Sequence, residues 1–233
     1  MASPTALVTG ASRGLGRALA TTLNADGWHL VLDARDGDRL ATTVAGLPFP
    51  DRVTALPGDV ADPAHRAALA AAVPAGLDLL VANASDLGPS PLPRLADLPL
   101  PAFERVLAVN AVAPLALVQL LLPELRRAGG RVLQLSSDAA VEAYAGWGGY
   151  GASKAALDQL SRVLAVEEPG LRVYAVDPGD MATAMHQAAF PGEDVSDRPA
   201  PETVVPALLR LVHGELPSGR YRAAELTPAG APA

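Results

Sequence analysis

A tyrosine and a lysine four residues apart are the side chains in this sequence best suited to proton transfer. Tyr150 and Lys154 begin an alanine-rich segment whose pattern predicts a helix, so both project from one face, about one turn apart. Because a nearby ammonium favours a phenolate, we expect the pKa of Tyr150 to fall from about 10 toward neutrality. Such a tyrosine can donate a proton to a developing alkoxide or take one from an alcohol.

A serine upstream of this pair can share the same cleft. Ser137 follows the apolar run Val132–Leu135, which predicts a strand, and a hydroxyl at the carboxyl end of a strand can hold a carbonyl oxygen. Tyrosine and lysine also occur at this spacing by chance on exposed helices. The catalytic interpretation therefore depends on whether the same chain forms a nicotinamide site.

The composition predicts one folded domain covering residues 1–233. Half of the 233 residues are hydrophobic and 18% are charged, which argues against disorder. The formal net charge is -7 and no basic run or basic-aromatic cluster occurs, so we expect no nucleic-acid partner. The chain has no cysteine, which excludes disulfides and thiolate catalysis.

The sequence pattern also disfavours two further classes, membrane proteins and metalloproteins. The amino terminus runs directly into a predicted strand, and the longest apolar stretches, such as residues 115–122, are shorter than the ~20 residues that span a bilayer. We therefore expect a soluble, cytoplasmic protein with no membrane partner. The four histidines are scattered without ligand spacing, so we expect no metal site.

A glycine-rich turn between a strand and a helix points to a phosphate site. Residues 6–8 predict a short buried strand, and residues 17–24 have a helical pattern. Gly10, Gly14 and Gly16 lie between them. Glycines let the backbone turn tightly, and the amino terminus of the helix offers unpaired amides to a pyrophosphate. The alternative is a tight turn that merely requires glycine.

The end of the second predicted strand, residues 29–33, bears on the choice of cofactor. In a nucleotide-binding βαβ unit this end meets the adenosine ribose, where an acid accepts from the 2′-hydroxyl and repels a 2′-phosphate. Here Ala34 occupies the position, with Arg35 beside it and Arg13 in the glycine loop. Two guanidinium groups favour NADPH. Asp33 is the alternative, because a carboxylate turned toward the ribose would favour NADH.

Strands and helices alternate along the rest of the chain. Residues 53–56 and 77–82 predict strands, separated by a helix at 63–72. This alternation predicts an α/β fold, a Rossmann-like doubly wound parallel β-sheet with helices on both faces. Asp59, just after the first of these strands, either accepts from the adenine amine or caps a helix. The five prolines within residues 86–101 predict a rigid surface loop.

Residues 102–127 predict a long helix with two features of interest. Its apolar residues cover more than one stripe, so it either buries a second face against a partner chain or lies wholly inside the monomer. Within it, Pro114 has no N–H, which leaves the carbonyl of Asn110 without its helical partner. We expect an ordered water there, able to connect a lysine to solvent. The alternative is a kink that only shapes packing.

Taken together, these residues resemble the short-chain dehydrogenase/reductase family from about residue 5 to residue 213. One matching motif would be weak, but six occur in register. In chain order they are the loop Thr9–Gly16, the pair Asp59 and Val60, Asn110, Ser137, the pair Tyr150 and Lys154, and the group Pro178, Gly179 and Thr183.

The resemblance implies hydride transfer between a nicotinamide cofactor and a small carbonyl or secondary alcohol. It implies that Tyr150 is the general acid and base, and that Lys154 holds the nicotinamide ribose. Ser137 would orient the carbonyl, and Asn110 would hold a relay water. NADP(H) is the preferred cofactor and NAD(H) the alternative. The predicted cofactor contacts, which include the two arginines, are Gly10, Ser12, Arg13, Gly14, Leu15, Gly16, Arg35, Asp59, Val60, Asn83, Ala84, Tyr150, Lys154, Pro178, Gly179 and Thr183.

Two departures from the family pattern affect the interpretation. Ser85 replaces the glycine of the usual Asn-Ala-Gly, and residues 84–88 resemble the sepiapterin- and benzil-reductase-like subgroup. The carboxyl-terminal extension is reduced to residues 226–233. We therefore expect a homodimer in preference to a homotetramer, formed through the helices around 102–127 and 151–166.

The substrate side is predicted at residues 180–201, where the family has a mobile lid. Met181, Met185 and Phe190 either form an apolar wall for the substrate or pack the lid onto the core. We expect His186 to lie at the surface.

The sequence supports three hypotheses. The leading one is an NADPH-preferring carbonyl reductase or alcohol dehydrogenase. The second is a cofactor-binding sensor or scaffold without catalysis, motivated by Ser85 and the shortened tail. The third is an isomerase, epimerase or dehydratase acting on a sugar nucleotide, for which the chain leaves little room.

Overall fold

A computed structural model describes residues 3–226 and is built on one seven-stranded sheet. All neighbouring strands are parallel, in the order β3-β2-β1-β4-β5-β6-β7. The strands are β1 Thr5–Val8, β2 His29–Ala34, β3 Val53–Pro57, β4 Leu79–Ala82, β5 Arg131–Leu135, β6 Arg172–Asp177 and β7 Gly219–Arg222. The predicted Rossmann-like α/β fold is confirmed. The shortened tail, apart from Leu226, lies outside the described residues.

Helices connect the strands and cover both faces of the sheet. Short 3₁₀ segments lie at Pro50–Arg52, Leu95–Asp97, Asp138–Ala140 and Pro201–Thr203. The α-helices are α1 Gly14–Ala25, α2 Gly37–Ala45, α3 Pro63–Ala72, α4 Leu100–Leu107, α5 Ala113–Ala128, α6 Gly148–Glu167, α7 Ala184–Ala189, α8 Val205–His213 and α9 Ala223–Leu226.

Successive residues of the central strands pack into two separate hydrophobic layers. Leu7 of β1 belongs to the layer that contains Leu69 of α3 and Leu121 of α5. Its neighbour Val8 belongs to the opposite layer, with Leu19 of α1 and Leu208 of α8. Because both faces are covered, the central strands are apolar at most positions, which explains why they appear in the sequence as short apolar runs.

The order of the strands places a crevice at the carboxyl edge of the sheet. After β3 the chain crosses back to pair β4 with the opposite side of β1. The loops that follow β1 and β4 therefore leave the sheet toward helices on opposite faces. In open α/β sheets, ligands bind at such a switch point. The turns after β1, β2, β4, β5 and β6 all meet there.

The predicted long helix is present but is not uniformly α-helical. Leu100–Ala128 is continuous, with a π-helical segment at Ala108–Val112 between α4 and α5. By length and composition alone, it is long and apolar enough to cross a membrane. The sequence analysis gave a shorter apolar length because it counted only uninterrupted runs of apolar residues. Half of its most apolar window is buried inside the protein, as in a core helix, and Leu117 and Leu121 pack on the sheet.

Candidate active site

The loop after β1 is shaped by close approaches that only glycine permits. Gly10 has φ +67°, and a Cβ there would lie 2.9 Å from Cα of Ala84. A Cβ on Gly16 would lie 2.4 Å from Nδ2 of Asn83. That amide nitrogen donates to the carbonyls of Thr9 and Gly10, at 2.9 and 3.1 Å. Asn83, at the end of β4, therefore fixes the conformation of the glycine loop.

Helix α1 directs its amino terminus into the cleft. It begins at Gly14, which has φ +55°, and its N-cap Arg13 makes no side-chain capping hydrogen bond. The first backbone N–H groups are consequently available to an anion. Ser12, Arg13, Gly14 and Leu15 all line the cleft. This arrangement fits the diphosphate of a dinucleotide.

The acid at the end of β2 lines the cleft but is buried and already hydrogen-bonded within the protein. Asp33 is buried, and its Oδ1 accepts from the backbone N–H of Gly10 at 3.0 Å. Its Oδ2 lies 2.9 Å from Nε2 of His65. Burial raises the pKa of Asp33, while the hydrogen bonds from Gly10 and His65 oppose that rise. Arg35 lies exposed on the cleft wall beside Ala34.

The acid after β3 already has partners within the protein. Oδ1 of Asp59 accepts from the backbone N–H of Ala61 at 2.9 Å, and Oδ2 lies 2.7 Å from Nη2 of Arg105. Desolvation raises the pKa of Asp59, but these two hydrogen bonds outweigh it and lower the pKa overall. Val60 lines the cleft next to it. Sequence reasoning missed Arg105, which carried no signal on its predicted helix.

The predicted catalytic side chains meet at the other end of the cleft. Ser137 follows β5, while Tyr150 and Lys154 are buried on the first turns of α6. The hydroxyls of Ser137 and Ser85 lie close enough to that of Tyr150 to influence its pKa. Nζ of Lys154 donates to the carbonyl of Leu135 at 2.6 Å and lies 5.5 Å from the centroid of the Tyr150 ring.

The expected fall in the tyrosine pKa is wrong for the protein described here. Burial raises the pKa of Tyr150 to about 12, although hydrogen bonds to Ser85 and Ser137 act in the opposite direction. Burial also lowers the pKa of Lys154 to about 8, against the charge of Asp158. Burial disfavours the charged form of each group. This effect on the two pKa values is larger than the attraction between phenolate and ammonium that the helical spacing provides.

Asn110 lies in the π-helical segment and is almost wholly buried. Its Oδ1 accepts from the backbone N–H of Asp86 at 2.7 Å and from Oγ of Ser85 at 3.2 Å. Its Nδ2 donates to the carbonyl of Asp86 and to Oγ of Ser153, at 2.8 and 2.9 Å. The side chain therefore ties the loop after β4 to helix α6, and the widened turn lies directly before Pro114.

A partly buried arginine from β7 supports the loop that carries Ser137. Nη2 of Arg220 donates to the carbonyl of Ser137 at 2.9 Å, and Nε donates to Oδ2 of Asp158 at 2.8 Å. The same guanidinium lies 3.9 Å from Oδ2 of Asp177. Sequence reasoning missed this cluster. The available signal was Asp158 itself, four residues after Lys154 and therefore on the same face of the helix.

The turn after β6 closes the cleft opposite the glycine loop. Gly179 has φ +77°, and its N–H donates to Oδ1 of Asp177 at 3.0 Å. Thr183 caps α7 by accepting from the N–H of His186 at 3.2 Å. Pro178, Gly179 and Thr183 all line the cleft. Fifteen of the sixteen predicted cofactor contacts line this cleft. The exception is Gly16, which packs against Asn83 behind the glycine loop.

The whole cleft has a volume of about 1120 Å³, enough for a dinucleotide with a small substrate beside it. Its substrate end is lined by Met181, Met185 and Trp147, and the Trp147 ring meets the Tyr150 ring edge-on at 5.7 Å. The expectation that His186 lies at the surface is wrong. Its side chain is 10% exposed and lines the cleft, because the capped turn of α7 directs it inward.

Comparisons with known proteins agree with this geometry. Residues 4–194 match the sequence profile of the short chain dehydrogenase family. The short chain dehydrogenase asqE of Emericella nidulans is 36% identical over 177 residues, which cover 72% of this chain and 65% of that protein. A rhamnolipids biosynthesis 3-oxoacyl-(acyl-carrier-protein) reductase of Pseudomonas aeruginosa is 36% identical over 200 residues, covering 79% and 75% of the two chains.

Solved structures show the same likeness. A short chain dehydrogenase of Pseudomonas syringae superposes with a TM-score of 0.88 at 31% identity, covering 94% of each chain. One from Shigella flexneri, in complex with NADP, superposes with a TM-score of 0.87 at 29% identity, covering 95% of this chain and 97% of that one. The chain belongs to the short-chain dehydrogenase family, which comprises NAD(P)-dependent oxidoreductases acting on CH–OH or C=O groups.

Proposed function

We propose that this protein is an NADPH-preferring carbonyl reductase or alcohol dehydrogenase in which Tyr150 is the general acid and base. The observation that carries the proposal is the convergence of Tyr150, Ser137 and Lys154 at one end of the cleft that the glycine loop lines at the other. A hydride donor bound along this cleft would have its reactive end beside a hydroxyl able to exchange a proton.

Tyr150 holds the proton that carbonyl reduction requires. With a pKa raised to about 12, it is a phenol at neutral pH in the free site. The bound cofactor supplies the hydride. As negative charge develops on the carbonyl oxygen, Tyr150 donates its proton to that oxygen. Ser137, whose Oγ donates to Oδ1 of Asp138 at 2.9 Å, turns to donate to the same oxygen. Two donors then stabilise charge that exists only in the transition state.

Lys154 has two roles in this proposal. Only one of its N–H groups is used by the carbonyl of Leu135, which leaves the others for the hydroxyls of the nicotinamide ribose. A pKa of about 8 keeps it mostly charged at neutral pH. That charge, close to the Tyr150 ring, favours the phenolate that remains after proton transfer. The carbonyl of Asn110 is proposed to hold a water that returns the proton from solvent.

Three features support a preference for NADPH. Arg13 and Arg35 line the cleft, and neither forms an ion pair with any residue in the range 3–226. Ala34 occupies the position where an acid would repel a 2′-phosphate. The rival carboxylate, Asp33, is buried and already accepts from Gly10. The Shigella flexneri relative, solved with NADP, is consistent with this proposal.

The test is a fluorescence titration of purified protein with NADPH and with NADH. Aldehydes, ketones and diketones are then added to the saturated complex. Tyr150→Phe should keep NADPH binding and lose turnover by about 100-fold or more. Full turnover in that variant would overturn the assigned mechanism. Binding of NADPH without consumption of the cofactor on any member of the panel would count against the reductase proposal.

A matched pair of arginine variants tests the cofactor preference. Arg35→Ala should weaken NADPH binding by about tenfold and leave NADH binding unchanged, because only NADPH carries the 2′-phosphate. Arg39→Ala is the control, since Oδ2 of Asp36 already holds its guanidinium at 3.0 Å. Equal loss of affinity for both cofactors in Arg35→Ala would contradict the preference.

We also propose a homodimer formed through the helices α4, α5 and α6. Large apolar side chains are exposed on their outer faces, including Val112, Leu120, Val163 and Val166. Exposed apolar surface of this kind favours association with a second copy. Sedimentation analysis of the wild type and of Val166→Glu tests this, and a monomeric wild type would refute it. We propose a cytoplasmic location on the grounds given from the sequence.

A further inference from the structure

Ser85 places a hydroxyl between two groups of the proposed proton-transfer site. Its Oγ donates to Oδ1 of Asn110 at 3.2 Å, and its hydroxyl is close enough to that of Tyr150 to influence the pKa of the phenol. It lines the same cleft as Tyr150 and Ser137. The family motif has glycine at this position, which would provide neither contact. The substitution therefore adds a polar hydrogen at the reacting atom.

We propose that Ser85 is a further catalytic residue, whose hydroxyl turns from Asn110 to the Tyr150 oxygen as the phenolate forms. This inference rests on the proposed function, in which Tyr150 exchanges a proton with the substrate. It concerns how the charge left on Tyr150 is stabilised, which the proposed function assigns only to Lys154.

The rotation follows from the change in acceptor strength during the reaction. While Tyr150 is a phenol, the hydrogen of Ser85 points to the neutral amide oxygen of Asn110. In carbonyl reduction the Tyr150 O–H bond breaks and the proton bonds to the substrate oxygen. The resulting phenolate is a stronger acceptor than a neutral amide, so the Ser85 hydrogen moves to it. No covalent bond of Ser85 breaks, and the proton balance is that of Tyr150 alone.

Asn110 can release this hydrogen at little cost because its amide oxygen keeps another donor. The backbone N–H of Asp86 donates to Oδ1 at 2.7 Å. Its Nδ2 remains held by the carbonyl of Asp86 and by Oγ of Ser153. Rotation of Ser85 therefore leaves no buried acceptor unsatisfied and does not free the amide to move.

Ser137 is not a substitute for Ser85 in this role. Its hydroxyl donates to Oδ1 of Asp138 in the free site and is assigned to the substrate carbonyl during the reaction. A single hydroxyl hydrogen cannot serve the substrate oxygen and the phenolate fully at once. Ser85 is the second hydroxyl that lines the cleft beside Tyr150.

The experiment compares Ser85→Ala and Ser85→Gly, which remove the hydroxyl, with Ser85→Thr, which keeps it. The first readout is the pH dependence of kcat for alcohol oxidation with NADP, which requires the phenolate. We expect the profiles of the alanine and glycine variants to move about one unit toward higher pH, with about tenfold slower oxidation at neutral pH. The threonine variant should follow the wild type.

A second readout does not depend on turnover. The tyrosine ring carbon that bears the hydroxyl is labelled with ¹³C, and Tyr150→Phe identifies its resonance in the NADP complex. Titration of that resonance should show the same upward shift in Ser85→Ala. Superimposed titration curves for Ser85→Ala and the wild type would overturn the inference, as would a threonine variant that behaves like alanine. If the wild type oxidises and reduces no substrate, the proposed function fails while this titration still decides the role of Ser85.

Discussion

Replacing Arg220 by methionine removes the cation that joins β7 to the catalytic loop. The Arg220 side chain is 16% exposed and that of Asp158 only 3%, so the pair is largely shielded from water. Oδ1 of Asp158 has no hydrogen-bond partner among the described residues, and Arg220 is the side chain that donates to Oδ2. Breaking a buried pair on one side costs about 3–5 kcal/mol, because the remaining charge is uncompensated. We expect the free energy of unfolding to fall by that amount.

The same change should lower activity beyond its effect on stability. Arg220 also donates to the carbonyl of Ser137, so its loss frees the loop that positions the serine hydroxyl. A displacement of about 1 Å can cost up to about 100-fold in rate. Turnover is measured at a temperature where the variant remains folded, as judged by circular dichroism.

Urea denaturation of three variants measures how much the interaction between Arg220 and Asp158 contributes to the free energy of unfolding. Arg220→Met and Asp158→Leu are each destabilising, and the double variant should recover part of the loss because neither member of the pair is then left without the other. Arg222→Met is the control on the same strand. Its guanidinium is 47% exposed and 4.0 Å from Oδ2 of Asp177, so it should cost no more than about 1 kcal/mol. A loss below about 1 kcal/mol for Arg220→Met would refute the reasoning.

Three further predictions follow from the site. The pKa of Lys154 falls from 10.5 to about 8 on folding, so between those pH values the unfolded chain binds a proton that the folded chain lacks. Its contribution to stability therefore rises with pH by about 3 kcal/mol, and a constant difference in urea stability between wild type and Lys154→Met would contradict this. Gly16→Ala places a Cβ 2.4 Å from Asn83 and should cost about 1–3 kcal/mol, whereas Gly170→Ala, with nothing within 4 Å, should cost little in the same assay. Ala34→Asp should shift the ratio of kcat/KM values toward NADH by about tenfold or more, because its carboxylate repels the 2′-phosphate, and an unchanged ratio would count against the assigned ribose position.

The fold was predictable because its signals are local. Each buried strand is a short apolar run, and each turn at the carboxyl edge carries a glycine or a polar side chain. The parallel order then follows from alternation with helices. Residues placed directly after strands, such as Asp59 and Ser137, were located correctly for the same reason. The extent of the substrate lid at residues 180–201 and the single-domain boundary at 1–233 stay predictions.

The features that could not be predicted depend on contacts distant in sequence. Burial determines that the pKa of Tyr150 rises and does not fall. The helical spacing of Tyr150 and Lys154 gives no information about burial. The pairing of Arg220 with Asp158 joins residues 62 positions apart. His186 turns inward because Thr183 caps a short helix, and neither residue signals that direction alone. Sequence pattern places residues on elements, whereas electrostatics depends on what surrounds them.

The strand order also determines how this sheet can be assembled. From β1 the sheet grows on one edge with β2 and β3, and then on the other with β4, β5, β6 and β7, one strand at a time. No strand has to be inserted between two that are already paired. As the chain is synthesised, the elements that frame the glycine loop are therefore complete before Tyr150 emerges. The support from Arg220 is added afterwards, when β7 closes the far edge, so the loop that carries Ser137 gains this contact only after the glycine loop has been framed.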